Sequence, residues 1–278
     1  TFTGISAIAI CRMLNLRYLI NLDGEIFFGT GIKAALKKAV LTGASGYLTA
    51  GKSVAQSIRC ISGNSPIFPY SFSSVSAAEV THNINLRKEA GLPDLKAPVL
   101  VVGQYADYKG LDIALAAARA DRSIPYIFIG TGGKTEQFIS DFGISTEGDD
   151  NNISVIPFLQ KKELTDMYLR CSMLLLPSRK ECWGLVVNEA ASLGTPIVST
   201  RGSGSAVEFL ADDYPYLLAE PGNPRSLLEA IHRVRNMTQD ELQRYSDFLM
   251  KRASEFTIDK SVTEHLSSFN ILTNTKSI

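Results

Sequence analysis

The chain has 278 residues, which is long enough for two hydrophobic cores. Its 28 basic residues balance its 28 acidic ones, and no apolar run reaches the roughly 18 residues of a membrane-spanning helix. This composition is typical of a soluble globular protein, and we expect no nucleic-acid partner. The cysteines Cys11, Cys60, Cys171 and Cys182 lie apart, without metal-ligand or CxxC spacing. They indicate a reducing, cytoplasmic compartment.

The first third of the chain differs from the rest in charge. Residues 1–96 hold ten Lys and Arg against five Asp and Glu, so the remainder is net acidic. This asymmetry, with the Gly91-Leu92-Pro93 turn, predicts two domains at residues 1–96 and 97–278. The chain opens at Thr1, without a signal-peptide pattern, inside a predicted helix. We therefore expect the first strands of the N-terminal domain to be absent from it.

Short, mixed elements are predicted for the first domain: helix 5–16, strand 17–21, helix 32–41, strand 46–49, helix 51–61, an extended segment at 66–69 and helix 82–91. The helix at 32–41 carries Lys33, Lys37 and Lys38 beside apolar residues. Such a basic face can lie on anionic lipid, although a solvated surface helix is the commoner case.

Regular strand–helix alternation follows from residue 99: strand 99–102, helix 110–120, strand 126–129, helix 134–142, strand 153–156, helix 161–170, strand 173–176, a helix from residue 184 and strand 197–200. This spacing predicts an α/β fold with a doubly wound parallel sheet. The chain is helical after Pro224. Its last helix, at about 259–272, follows its own domain's sheet and can pack back on the N-terminal domain.

Two carboxylates lie in the stretch from Met173 to Thr200. Glu181 falls on the loop after one strand, and Glu189 on the helix that follows. Ligands of parallel sheets bind at the carboxyl ends of the strands, and a helix N-terminus offers N–H groups to phosphate. Solvated carboxylates are the alternative, but a polyol joined to a diphosphate would satisfy all these features. Cys182 lacks a His context and is expected to be a packed thiol.

The run ECWGLVVNE, residues 181–189, resembles the E-x7-E signature of retaining glycosyltransferases of family 4. This family has the GT-B fold, in which two Rossmann-like domains face each other across a cleft. The resemblance implies that Glu181 binds hydroxyls of the donor sugar and that Glu189 binds the ribose hydroxyls of the nucleotide. It further implies that the backbone of Trp183, Gly184 and Leu185 meets the diphosphate.

The run GQYADYKG, residues 103–110, resembles the G-R-L-x-x-x-K-G element of the same family. Gly103 would then begin the donor loop, and Lys109 would neutralise the pyrophosphate, lowering the barrier to sugar transfer. An ordinary solvated lysine is the alternative. Gln104 stands where the family usually has Arg, so that one phosphate contact is either weakened or supplied by another group.

Three further segments resemble donor-side elements of the family. The turn that holds Gly130 and Gly132 is not a P-loop, because Phe128 stands where a P-loop needs glycine; it resembles the family's Gly-rich turn near the donor. Phe158 follows a strand whose family counterpart reads the base through its backbone. The turn Gly202–Ser205 is expected either to approach the donor or to permit close helix packing.

Asp23 follows the first predicted strand, where relatives often carry a His near the reacting centre. It would orient the acceptor hydroxyl or the donor sugar. The alternative is that Asp23 and Gly24 only form a turn. With Glu181 and Lys109, Asp23 completes the predicted catalytic set.

The resemblance implies a retaining hexosyltransferase that uses a nucleotide diphosphate sugar, most simply a UDP-sugar. Its acceptor would be a saccharide or a lipid-linked saccharide in polysaccharide or glycoconjugate biosynthesis, reached at the inner face of the membrane. No metal is expected, since the sequence has no Asp-x-Asp, and no cofactor. The alternatives are a non-catalytic nucleotide-sugar-binding module, a nucleotide-sugar epimerase, and a phosphorylase, which would need a pyridoxal-bearing lysine.

Overall fold

The structure, a computed structural model, describes residues 2–24, 29–145 and 148–274. Glu25, at the end of the predicted Asp23 turn, lies outside these residues. The chain forms two compact units, one of Thr1–Phe72 with Asp259–Ile278 and one of Ser73–Ile258. Over the described ranges, no helix has both the length and the apolar character needed to cross a bilayer.

The elements up to residue 90 are α1 (Phe2–Met13), β1 (Leu19–Leu22), α2 (Ile32–Leu41), β2 (Gly46–Ala50), α3 (Gly51–Ser57), α4 (Arg59–Ser62), β3 (Ile67–Tyr70) and α5 (Ala77–Ala90). Those that follow are β4 (Val99–Val102), α6 (Leu111–Ala120), β5 (Tyr126–Ile129), α7 (Thr135–Asp141), β6 (Ile153–Ile156), α8 (Lys161–Arg170), β7 (Met173–Leu176), α9 (Leu185–Ser192), β8 (Ile197–Thr200), α10 (Gly204–Leu210), β9 (Leu218–Ala219), α11 (Pro224–Arg235), α12 (Gln239–Glu255) and α13 (Ile258–Asn274). Two short 3-10 helices lie at Asp107–Lys109 and Pro215–Leu217.

The first unit is built on a parallel sheet in the order β1-β2-β3. Ile20, Tyr47 and Ile58 are buried in its core, and the Tyr47 hydroxyl donates to the carbonyl of Leu41 at 2.7 Å. Helix α2, by contrast, has no buried residue. Helix α13 belongs to this unit, and its Glu264 carboxylate accepts a hydrogen bond from the Ser71 N–H at 2.6 Å.

The second unit is built on a parallel sheet in the order β6-β5-β4-β7-β8-β9. Strands β7 and β8 are buried along their whole length, as expected of parallel strands covered by helices on both faces. From β4 the chain proceeds outward through β5 and β6, and then returns to β7 on the other side of β4. The gap between β4 and β7 is therefore the topological switch point, where ligands of such sheets bind.

The α/β class with parallel sheets, predicted from the strand–helix alternation, is confirmed. The boundary of the compact units differs from the predicted domain boundary, because α5 packs on α9 and α12. Arg87 of α5 is 3% exposed, and its guanidinium donates to the carbonyls of Leu193 at 2.6 Å and Gly91 at 3.0 Å. The segment that follows Phe72 thus joins the second unit.

Candidate active site

The loops after β4 and β7 bring two predicted site residues into contact at the switch point. Lys109 ends the 3-10 helix after β4, and its Nζ donates to Oε2 of Glu181. The two side chains are only 19% and 14% exposed. A partly desolvated ammonium group therefore lies against a carboxylate where a parallel sheet offers its ligand site.

Close backbone packing holds these two loops together. Gly110 has φ +66°, and a Cβ there would overlap the carbonyl oxygen of Pro177. The N–H of Arg179 donates to the carbonyl of Tyr108 at 2.8 Å. Glycine at position 110 satisfies both requirements, because it tolerates positive φ and has no side chain to meet the neighbouring loop.

An ion pair absent from the sequence-based prediction secures the same contact. Arg179 donates through Nη1 to Oδ1 of Asp112 at 2.7 Å and through Nη2 to its Oδ2. Burial opposes ionisation of Asp112, but these bonds hold the pKa of its carboxyl below the usual value. The pair ties the loop after β7 to the first turn of α6.

The turn after β8 closes the other side of the Glu181 loop. The N–H of Glu181 donates to the carbonyl of Gly202 at 2.7 Å, and the N–H of Gly204 donates to the carbonyl of Glu181 at 3.2 Å. A Cβ on Gly202 would overlap the Arg179 carbonyl, and one on Gly204 the Cys182 carbonyl. The close approach that these glycines permit is thus to the protein's own loop.

Gly184 begins the site helix α9 with a sharp change of direction. Its φ is +98°, and a Cβ would lie 2.9 Å from Leu176 Cδ2 and 3.3 Å from Glu181 Cγ. Within the described chain, no side chain caps this helix. Its first N–H groups therefore lack a capping side-chain acceptor and suit an anionic ligand.

The residues before Gly184 alternate between the interior and solvent. The Trp183 indole is 3% exposed, and its Nε1 donates to Asn188 Oδ1 at 2.9 Å. The carbonyl of Trp183 accepts from the Ser205 N–H at 2.9 Å. Cys182 is exposed, so the expected packed thiol is wrong. The segment is extended, since Glu181 forms a parallel bridge with Ser203, and successive side chains there point in opposite directions.

Glu189, on the second turn of α9, meets two hydroxyl groups. Ser74 donates to its Oε1 at 3.1 Å, and Tyr168 donates to its Oε2 at 3.2 Å. Burial raises the pKa of this carboxyl, and the two hydrogen bonds partly counteract that rise. Neither partner was predicted from the sequence.

The remaining residues that were predicted to lie near the donor are on the loops after β4, β5 and β6. Gly130 and Gly132 have φ +80° and +71°, which glycine alone adopts readily. Gln104 is packed beside Gly132, whose Cβ would lie 3.3 Å from Gln104 Cγ. Gly103, at the end of β4, donates its N–H to the Ile129 carbonyl at 3.0 Å. Phe158 follows β6 and is 68% exposed, an unusual position for a phenylalanine.

Asp23 lies in the other compact unit. Its Oδ1 accepts a hydrogen bond from the Tyr70 hydroxyl at 3.0 Å. Burial, together with this carboxylate, raises the pKa of Tyr70. The Tyr70 hydroxyl thus holds the Asp23 carboxylate in place, and the suggested role of Asp23 toward the acceptor or the donor sugar stays a prediction.

Residues 83–247 match the family model of glycosyl transferases group 1. The chain belongs to this family. The matched segment runs from α5 to α12 and contains Lys109, Glu181 and Glu189. The part of the resemblance that identifies the chain as a glycosyltransferase is therefore confirmed.

Curated proteins similar to the chain carry the names of different glycosyltransferases. The chain is 36% identical over 135 residues to an uncharacterized glycosyltransferase of Methanocaldococcus jannaschii, covering 48% of this chain and 36% of that protein. It is 31% identical over 168 residues to a D-inositol 3-phosphate glycosyltransferase of Segniliparus rotundus, covering 54% and 36%. It is 25% identical over 191 residues to an O-antigen biosynthesis glycosyltransferase of Escherichia coli, covering 68% and 50%. The chain spans half or less of the length of these relatives.

Solved structures extend the likeness to the first unit. Sucrose-phosphate synthase from Thermosynechococcus elongatus superposes with a TM-score of 0.72 at 15% identity, covering 98% of this chain and 72% of that one. HepE of Anabaena in complex with UDP-glucose superposes with a TM-score of 0.70 at 15% identity, covering 97% and 76%. The predicted GT-B fold is thereby confirmed.

Proposed function

We propose that this chain carries the donor site of a retaining, family 4 glycosyltransferase, which transfers a hexosyl unit from a UDP-sugar. The contact between Lys109 and Glu181 at the switch point carries the proposal. It supplies a cation for a diphosphate and a carboxylate for sugar hydroxyls, side by side. Helix α9 begins four residues after Glu181, and its N-terminus offers N–H groups to the same diphosphate.

Lys109 and the N–H groups in the first turn of α9 would stabilise the leaving group electrostatically in the transfer step. As the bond from the anomeric carbon to the diphosphate oxygen breaks, negative charge grows on the leaving group. A fixed ammonium and fixed N–H groups stabilise that charge without reorganisation. They take the place that a metal ion holds in other sugar transferases, and retention would follow from departure and attack on one face of the sugar.

Glu181 and Glu189 divide the donor between them in this proposal. Glu181 would accept hydroxyls of the sugar, and Glu189 the two hydroxyls of the ribose, since a carboxylate can accept both members of a vicinal diol. The exposed ring of Phe158 would lie near the base. The choice of UDP as the nucleotide is supported by HepE of Anabaena, whose structures contain UDP or UDP-glucose.

The acceptor would be a saccharide or a lipid-linked saccharide. The name of the Escherichia coli relative, an O-antigen biosynthesis glycosyltransferase, supports this class. Helix α2 adds a surface suited to anionic lipid. Its Ile32 and Leu36 are 89% and 63% exposed and lie beside Lys33, Lys37 and Lys38. Peripheral contact with the inner face of the membrane is proposed on this basis.

Calorimetric titration with UDP, UDP-glucose and GDP-mannose, with a parallel donor-hydrolysis assay, tests the proposal. We expect UDP and UDP-glucose to bind and the sugar nucleotide to be turned over. Binding without turnover would instead support a non-catalytic nucleotide-sugar-binding module. If none of the three compounds bound, both interpretations would fail.

Two variants test the division of labour between the carboxylates. Glu189→Ala should weaken binding of free UDP, because the ribose loses its acceptor. Glu181→Ala should lower turnover of UDP-glucose without weakening the binding of free UDP, because UDP carries no hexosyl group for Glu181 to bind. Equal effects of the two variants on UDP affinity would refute the assignment.

A further inference from the structure

The Glu189 carboxylate receives one protein hydrogen bond on each of its oxygens. Ser74 lies on the loop before α5 and donates to Oε1 at 3.1 Å. Tyr168 lies on α8 and donates to Oε2 at 3.2 Å. Both donors precede Glu189 in the sequence, by 115 and 21 residues, and they lie on different elements. Their convergence on one side chain is therefore a product of the fold.

An ionised carboxylate has about four lone-pair positions, two on each oxygen. Ser74 and Tyr168 fill one position on each oxygen of Glu189, which leaves one acceptor position on each. A vicinal diol offers one hydroxyl to each oxygen, so it matches the remaining positions in number and in arrangement. Rotation of the carboxylate would disturb this match, because it would misalign both remaining acceptors.

We propose that Tyr168 and Ser74 are positioning residues, which hold the Glu189 carboxylate in the orientation that leaves one acceptor on each oxygen for the ribose diol. This inference rests on the proposed function, in which Glu189 binds the ribose. It adds two residues whose effect reaches the ligand only through Glu189. It also predicts a preference for ribonucleotide donors over 2′-deoxyribonucleotide donors that depends on Tyr168.

Tyr168 is itself held firmly enough for such a role. Its side chain is buried, with 2% of the residue exposed. Its carbonyl accepts from Thr195 Oγ1 at 2.7 Å and from Arg87 Nη2 at 3.3 Å. Arg87 also donates to the Leu193 carbonyl at 2.6 Å. The guanidinium of Arg87 therefore links the C-terminal ends of α8 and α9. A ring fixed in this way can orient the carboxylate that it contacts.

The charges around Glu189 act on its protonation in both directions. Burial raises its pKa, while the hydrogen bonds from Ser74 and Tyr168 and the charge of Lys161 lower it. The charge of Glu79 raises it. The pKa of Tyr168 lies well above the usual value, through burial and through Glu189, so its hydroxyl stays a donor. Removing that hydroxyl should therefore make Glu189 easier to protonate.

The test compares Tyr168→Phe with Tyr245→Phe. Tyr245 is also fully buried and donates to a backbone carbonyl, that of Ile197, at 2.7 Å. Its substitution therefore removes a buried hydroxyl of the same kind away from the carboxylate. UDP-glucose and its 2′-deoxy analogue serve as probes between pH 5 and pH 8. Each phosphate of these compounds has one ester bond and one anhydride bond, so it carries a single negative charge throughout this range.

In Tyr168→Phe we expect UDP-glucose affinity at neutral pH to fall roughly three- to tenfold, as for loss of one hydrogen bond to a charged group. The acid midpoint of binding should rise by about one pH unit. The preference for UDP-glucose over its 2′-deoxy analogue should shrink. Ser74→Ala should act in the same direction, and Tyr245→Phe should match the unsubstituted protein in all three measurements.

Three outcomes would overturn the inference while leaving the proposed function intact. These are an unchanged acid midpoint in a folded Tyr168→Phe protein, an unchanged 2′-deoxy preference, or equal shifts in Tyr245→Phe. Failure of the unsubstituted protein to bind UDP-glucose would be a different result and would refute the proposed function itself. Thermal unfolding of each variant establishes that the compared proteins are folded.

Discussion

Replacing Gly110 by alanine tests whether close packing of two loops builds the candidate site. Gly110 lies directly after Lys109, has φ +66° and caps the start of α6. An added Cβ would overlap the carbonyl oxygen of Pro177 and lie 3.1 Å from its carbon. Both obstacles are backbone atoms, which cannot swing aside as a flexible side chain can.

The expected cost has two parts. An alanine held at positive φ costs roughly 1 kcal/mol, and forcing a methyl group into a packed contact costs typically about 1 to 3 kcal/mol. Gly110→Ala should therefore lower the free energy of unfolding by about 2 to 4 kcal/mol. Gly222→Ala is the matched control, because Gly222 has φ +77° and would meet nothing within 4 Å. It should cost only the first part, about 1 kcal/mol.

Urea unfolding measures both variants, and titration with UDP-glucose measures the site. If the loops part to relieve the overlap, Lys109 and Glu181 move relative to each other, and a displacement of about 1 Å can cost roughly a hundredfold in catalysis. Gly110→Ala should thus lose most of its turnover, whereas Gly222→Ala should keep it. Equal loss of stability in the two variants, with turnover preserved in both, would refute the packing argument.

Three further predictions concern other charged groups of the molecule. Arg87→Met should lower the free energy of unfolding, measured in urea, by about 3 kcal/mol, because the buried carbonyls of Leu193 and Tyr168 lose a donor. Lys88→Met, at the exposed neighbouring position, should change this free energy little. The hydrogen bond from Lys161, with those from Ser76, lowers the pKa of Glu79 to about 2. At pH values above the usual carboxyl pKa of 4.5, the ionised Glu79 therefore stabilises the fold, and this stabilisation disappears as the pH falls toward 2. Lys161→Met should move acid unfolding, measured by circular dichroism, to higher pH. Replacing the three lysines of α2 by glutamine should weaken co-sedimentation with phosphatidylglycerol vesicles by about 1 kcal/mol per lysine, and co-sedimentation with neutral phosphatidylcholine vesicles should stay unchanged.

Five of the six strands of the second unit, β4 to β8, were predicted from the sequence with their final bounds, whereas the two-residue strand β9 was not predicted. Val99–Val102 and Met173–Leu176 are apolar runs between turn-forming or polar residues. Because parallel strands are buried on both faces, such runs identify them directly. The start of α5 was predicted five residues late. Its signal was present, since Ser76 and Glu79 form a capping box in the structure.

The partners of the site residues could not be predicted in the same way. Arg179 and Asp112 are 67 residues apart, and nothing in either local pattern relates them. Ser74 lies in a serine-rich segment, and Tyr168 lies on a helix with an ordinary amphipathic pattern. Motifs identify groups that meet a ligand, whereas the groups that support them are chosen by tertiary contacts. The sequence therefore predicts Glu181 and Glu189 but not the side chains that hold Glu189 in place.

The pairing of Lys109 with Glu181 also bears on how the proposed site would accept its donor. Each side chain is largely shielded from water, so loss of either partner would leave an uncompensated charge that is only weakly solvated. An intact nucleotide sugar can replace both partners at once, because its diphosphate offers anionic oxygens to Lys109 and its sugar offers hydroxyls to Glu181. Free UDP can satisfy Lys109 but brings no sugar hydroxyls to Glu181. In the proposed site, the pair would therefore favour the complete donor over free UDP, because only the complete donor would leave neither charge unpaired.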